Sequence, residues 1–232
     1  MIRRYLSIEY IGMNIPSRIP AMTLRDVVLF PQAMLPLRIF EDRYKKMLSD
    51  VLNQDRIFAV VAERDQTLTD DQLDEPPFEV ATAGLVRVSK ENDDGTSFVM
   101  LQGLSRVRIR SIDDEGPYRI LKVEPLETII EKDTKEYRNK IYDALVQNKL
   151  LGGETSKDIL DYLETIEDDA AFIDLAAFTL CKNTIRKQAM LEVQRLHKRA
   201  EMFFDDLMQE NLQLSVWKQS SLNQDSMDLD RN

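Results

Sequence analysis

The sequence predicts an α+β protein: a small closed or half-closed β-barrel with one inserted helix, then a helical bundle ending in a long C-terminal helix. Three observations carry that prediction. Before about residue 128 the apolar segments alternate or run continuously, as strands do; after it nearly all repeat at helical spacing. Asp94-Gly95, set between two long strand-like runs, supplies the positive φ of a tight hairpin. Ile185, Ala189, Val193, Leu196, Ala200, Phe203 and Leu207 recur every three or four residues as one sustained helical seam.

The elements follow in order. Ala21 to Phe30 and Leu35 to Phe40 are strand candidates, divided by a loop from Pro31 to Pro36, because proline lacks the donor a strand interior needs. Arg25-Asp26, inside the first run, reads as structural punctuation. From Glu41 to Asn53 the period changes, and Tyr44, Met47, Leu48, Val51 and Leu52 form one helical stripe. Ile57 to Val61 is the β-branched, apolar run of a buried strand. An acidic loop, Asp65 to Pro77, is expected to be exposed. Phe78 to Lys90 and Ser97 to Ile112 form the long hairpin, and Tyr118 to Val123 is the last strand before Pro125.

Asp133-Thr-Lys-Glu136 is a capping arrangement for a helix over Tyr137 to Leu150, which Gly152-Gly153 ends. Ser156 to Ile166 and Ala170 to Lys182 are two shorter helices. The seam from about Thr184 predicts a single helix of about 45 Å. The resulting division is an extension over 1–19, a barrel over 20–127, a helical part over 128–217 and a polar, disordered tail over 218–232.

Composition narrows the function. The chain has 232 residues, enough for a substantial core, and 43% are hydrophobic. No run of about 18 apolar residues occurs, so no transmembrane helix is expected. Glu9, Asn14 and Arg18 interrupt the N-terminal apolar stretch, which argues against a secretory signal. Cys181 is the single cysteine, which precludes an internal disulfide and suits a cytoplasmic setting. The net charge of −10 repels nucleic acid and anionic lipid, and favours a protein partner.

Reactive groups are scarce. Neither a phosphate-binding glycine loop with Lys-Ser or Lys-Thr nor a Gly-x-Gly-x-x-Gly occurs. One histidine and one cysteine do not build a His/Cys zinc site, and no cofactor is expected. Cys181 ends an apolar helical run and reads as a core residue, while His197 falls beside Lys198 and Arg199 on the expected solvent side. The acid clusters Asp113-Asp-Glu115, Asp70-Asp71 and Asp168-Asp169 read as turns and caps, and Asp205-Asp206 as a solvated helix face. Arg106-Val-Arg-Ile-Arg110 alternates strictly, so Arg106, Arg108 and Arg110 are expected on one face of a strand. That face would suit an acidic peptide or RNA, although no aromatic residue interleaves the arginines for base stacking.

Leu24-Arg-Asp-Val-Val-Leu-Phe-Pro31 followed by Leu35-Pro-Leu37 and an amphipathic helix resembles the start of the substrate-binding domain of the Lon protease family. Thr82-Ala-Gly-Leu-Val86, the Asp94-Gly95 hairpin, Leu101-Gln-Gly-Leu-Ser-Arg-Val-Arg-Ile109 and Val123-Glu-Pro-Leu126 continue the resemblance, as does Asp174 through Glu192. It covers roughly residues 18 to 212. Gln32 stands where a glycine is common in that family. The resemblance implies a PUA-like barrel with a helical bundle attached. It also implies a free-standing member without the ATPase and peptidase modules, and therefore no catalytic residue. The function it implies is binding of polypeptide, as unfolded segments or one partner. The alternative is RNA binding through the arginine strand. Candidate contact residues are Met34, Leu35 and Phe40 around the proline loop, Arg106, Arg108 and Arg110 on the strand, and Trp217 at the end of the long helix. The seam leaves a monomer and a weak dimer both open.

Overall fold

In the computed structural model, residues 3–5, 15–64, 75–130 and 134–229 are described. The strands are β1 (Arg3–Tyr5), β2 (Arg18–Leu24), β3 (Met34–Ile39), β4 (Ile57–Ala62), β5 (Val80–Glu91), β6 (Ser97–Asp113), β7 (Ile120–Pro125) and β8 (Thr128–Ile130), with helix α1 (Asp42–Leu52) between β3 and β4. The main sheet runs β3-β6-β5-β4-β2-β7 and closes on itself because β6 also pairs β7. Five strands therefore form the ring, and β3 hangs on β6 as an edge. The barrel is closed on one side and extended by a flap on the other.

The 17-residue length of β6 makes this possible. Its first half pairs β3 and its second half pairs β7, while β5 follows it for most of its length. The β2–β4 pair is parallel, which requires a crossover, and β3 with α1 supplies it. β4 is buried at every position because it separates two cores. Ile57, Ala59 and Val61 enter the barrel interior with Ile19, Leu104 and Leu121. Phe58, Val60 and Ala62 enter the second core, which joins α1 to the helical half.

Several expectations need correction. The run Ala21 to Phe30 is not one strand: β2 stops at Leu24, and Asp26 takes a positive φ of 59°. A turn there lets Val28, Leu29 and Phe30 bury as a loop. Arg25 lies on the surface side and donates to Glu63. Past residue 127 the chain is not helical at once, because β8 pairs antiparallel with β1. The acidic loop lies almost wholly outside the described residues, as does Asp133.

The helical half comprises α2 (Thr134–Leu151), α3 (Lys157–Glu164), α4 (Asp169–Leu180), α5 (Thr184–Glu192) and α6 (Leu196–Leu229). Ser156, Asp168 and Asn183 cap α3, α4 and α5 by accepting from the third residue on, as their residue types favour. α4 is buried nearly all round, the mark of a central helix. α2 and α6 pack side by side through Ile141, Ala144, Leu145, Phe203 and Leu207, and their register is fixed by Asn148, which donates to Asn211 at 2.9 Å.

The predicted single long helix is two. Val193 leaves helical geometry with ψ 119°, and Ile129 donates to the carbonyl of Gln194, which draws residues 193–195 against β8. Ile185 is consequently exposed rather than part of a seam, whereas Leu196, Ala200, Phe203 and Leu207 keep theirs. Beyond Trp217, where the tail was expected to lose order, α6 continues helical to Leu229.

Candidate functional site

The flap of β3, β6 and the distal half of β5 presents an outward face that no other described element covers. Its register is set by two pairings. Pro36 lies opposite Met100, which lies opposite Val88, and Arg38 lies opposite Phe98, which lies opposite Lys90. Paired residues share a face, so these form two parallel rows, one apolar and one with an aromatic ring between two cations. Met34, Val88, Phe98 and Phe40 are exposed, from 39% for Phe98 to 62% for Phe40. Large apolar side chains left in water together, rather than singly, mark an interaction surface.

The hairpin holds the rows in place. Gly95, at φ +71°, makes the turn, and its amide donates to the carbonyl of Asn92. Asp94 accepts from the Thr96 hydroxyl at 2.7 Å and from the Thr96 amide at 3.0 Å, and these hold its carboxyl below the usual range. Arg38 donates to the same Asp94 at 2.8 Å. At the other end, Gln32 adopts a positive φ of 67° and donates to Gly103, whose amide donates to Ala33. Gly103 has to be glycine. A Cβ there would lie 2.1 Å from the Phe30 carbonyl oxygen.

Of the residues singled out in the sequence, Met34 and Phe40 fall on this exposed side and Leu35 does not: it alternates inward and packs on the core. Val88, Phe98 and Met100 were not singled out. Their signal was present in the hairpin, because counting by twos from the turn places them on one face.

The arginine strand is corrected. Arg106, Arg108 and Arg110 do not form a common surface, since Arg106 is only 1% exposed. Its Nη1 donates to the carbonyls of Leu191 and Val193, and its Nη2 to Thr128 Oγ1 at 2.7 Å. Arg108 is half-buried, and Arg110 donates to Glu124 in the open. On the side of β6 that Arg106 takes, the end of α5 and β8 stand over it, so its guanidinium lies under the helical half rather than in solvent. Arg199 is likewise buried, not on the solvent side, and donates to Asp174. Burial and the nearby Arg199 push the Arg106 guanidinium below its ordinary value, opposed by Asp174. The three-arginine surface on which RNA recognition would rest is absent.

The molecule thus has a ring-shaped barrel, a flap with an uncovered apolar face, and a helical bundle locked on through a buried arginine. The model of the ATP-dependent protease La (LON) substrate-binding domain matches residues 18–209. This chain belongs to that family. Lon protease of Escherichia coli strain K12 is 28% identical over 185 residues, 79% of this chain and 24% of the relative. Lon protease of Trichlorobacter lovleyi is 25% identical over 210 residues, 89% of this chain and 26% of the relative. The chain spans about a quarter of the length of these relatives. Among solved structures, the N-terminal domain of Mycobacterium avium complex Lon protease superposes with a TM-score of 0.62 at 14% identity, covering 82% of this chain and 98% of that one. A Lon N-terminal domain protein from Xanthomonas campestris gives 0.56 at 21%, covering 81% and 97%. At these identities the likeness is one of fold.

The helical half of this Lon substrate-binding domain carries a second exposed apolar strip. Met208, Leu212 and Trp217 on α6 line a groove with Cys181 and Arg186. Trp217 therefore stands on a different element from Met34 and Phe40. Burial pushes the Cys181 thiol up, its Sγ–H donates to the Asn183 carbonyl, and the charged groups facing it are Asp206, Lys187 and Arg186. A protonated, buried thiol is a poor nucleophile. Among the described residues, no helix is long and apolar enough to cross a membrane.

Proposed function

We propose that this chain is a non-catalytic module that binds polypeptide on the outward face of β3, β6 and β5, as part of cytoplasmic proteolysis or protein quality control. The observation that carries the reading is the uncovered row Pro36–Met100–Val88, flanked by Met34, Phe98 and Phe40, in a member of a family described as substrate-binding. The mechanism is burial of apolar side chains. Three such side chains covered by a client contribute about 5 kcal/mol before the cost of association is subtracted. Binding is then weak and reversible, which suits a surface that hands segments on. Methionine at two of the positions lets the face adapt to different sequences. Pro36 lacks an amide, so the exposed edge of β3 is a poor template for strand addition, and the face rather than the edge is the contact.

The test is fluorescence anisotropy with a labelled, permanently unfolded model protein. Met34→Asp and Phe98→Asp each weaken binding at least about tenfold, because a carboxylate on the row opposes burial. Arg110→Ala, away from the face, leaves it unchanged. If both aspartate variants keep a wild-type circular dichroism spectrum and wild-type affinity, the face is not the contact.

A further inference from the structure

The two rows differ in chemistry, and the difference selects among clients. The row Arg38–Phe98–Lys90 places two cationic side chains beside a ring, Arg38 being paired with Asp94, although the protein as a whole carries −10. The next row toward the proline loop, Pro36–Met100–Val88, is wholly apolar. Arg87, exposed and donating to Gln102 at 2.6 Å, adds a third cation beside it. Lys90 is exposed. Arg38 is itself ion-paired with Asp94 on the hairpin, so the row's pull on a client carboxylate comes chiefly from Lys90.

Resting on the reading of the flap as a polypeptide-binding face, the geometry points to a substrate class: extended segments with an apolar residue and an Asp or Glu two positions apart. The rows are two residues apart along each strand, about 6.6 Å. A segment lying along the strands has the same repeat, so its apolar side chain covers Met100 while the carboxylate, two residues on, reaches Lys90 and Arg38. Phe98 between the two cations provides the apolar floor under the carboxylate's methylene groups. A segment with Lys or Arg at that position meets like charge and is rejected. A uniformly acidic protein would repel such a client, and the local cation row offsets that repulsion at the point of contact.

The experiment compares three labelled peptides identical except at the position two residues from a phenylalanine, which holds Glu, Gln or Lys. Anisotropy is read with wild type, Lys90→Gln and the Arg38→Glu/Lys90→Glu double variant, all exposed positions whose folding is checked by circular dichroism. At low ionic strength the Glu peptide is expected to bind about fivefold tighter than the Lys peptide. The preference shrinks in Lys90→Gln, reverses in the double variant, and fades as salt rises. Equal binding of all three peptides overturns the acidic selectivity and leaves the polypeptide-binding reading standing. No binding by any of them overturns both. A preference that survives in the double variant shows the carboxylate is read elsewhere, and overturns this assignment. Displacement of the Glu peptide by an oligouridylate of similar length overturns the assignment to polypeptide.

Discussion

The Nη1 of Arg106 lies 2.9 Å from the carbonyl oxygen of Leu191, and through that contact a barrel strand grips the C-terminal end of a helix. The same guanidinium reaches the Val193 carbonyl at 2.7 Å and that of Glu127 at 3.3 Å. Carbonyls at a helix C-terminus lack intrahelical donors and carry partial negative charge, so a buried cation there satisfies both needs. The link also explains why α5 ends: acceptors committed to Arg106 and Ile129 hold residues 193–195 out of the helix.

Replacing Arg106 therefore costs stability. Arg106→Leu removes the hydrogen bonds to the Leu191, Val193 and Glu127 carbonyls and to the Thr128 hydroxyl, and leaves the buried Leu191 carbonyl without that donor, a loss of about 3 kcal/mol. Urea denaturation followed by circular dichroism measures it. Arg106→Lys does not restore the loss, because an ammonium cannot span acceptors a fork reaches. Arg110→Leu, on the same strand but in the open, leaves the midpoint where it was.

Asp174 neutralises a pair of buried guanidinium groups. Asp174→Asn leaves Arg199 and Arg106 facing one another without a counter-charge, and the expected loss is about 3–5 kcal/mol. Arg199→Met in the same chain removes that repulsion and recovers a large part of the loss. A single Asp174→Asn variant that melts with wild type would show that the pair is dispensable.

The loop before β3 gives an opposed pair of substitutions. Gln32 holds a left-handed conformation that costs a non-glycine residue about 1–2 kcal/mol, partly offset by the entropy glycine loses on folding. Gln32→Gly is expected to gain about 0.5 kcal/mol. Gly103→Ala is expected to unfold the flap, because its Cβ meets backbone that cannot step aside. Thermal melts of both variants decide it.

Tyr118 gives a signature at alkaline pH. Burial, together with its hydrogen bond to Asp50 at 2.8 Å, pushes the phenol up to about 12. The unfolded phenol ionises near 10, so the folded state keeps the neutral form longer. The contribution to stability is complete below pH about 10 and disappears as pH rises from there toward 12. Ultraviolet titration of tyrosinate should show a late-ionising component that Tyr118→Phe deletes.

Much of this architecture is legible without coordinates. The hairpin at Asp94-Gly95 and the stripe on α1 announce themselves because they depend on neighbours in sequence: a turn residue with positive φ, and side chains one helical turn apart. The caps at Ser156 and Asp168 are local in the same way. Arg106 was misplaced because strand alternation says which side a residue takes, not what stands there. One side of β6 meets solvent at Arg110 and a helical bundle at Arg106. The break at Val193 was missed for a related reason. Its cause is an arginine 87 positions away in the chain.

By itself, then, the sequence determined the class, most of the elements and the poverty of reactive groups, and its ordered motifs carried the resemblance to the family. The first three follow from composition, periodicity and turn chemistry, all of which act over a few residues. Only the tertiary structure decided which arginine is buried and where the long helix divides. It also decided that Met34, Phe98 and Val88 share one uncovered face. Those outcomes depend on strand register and on contacts between segments distant in the chain, where packing and the need to satisfy every buried polar group override local preference.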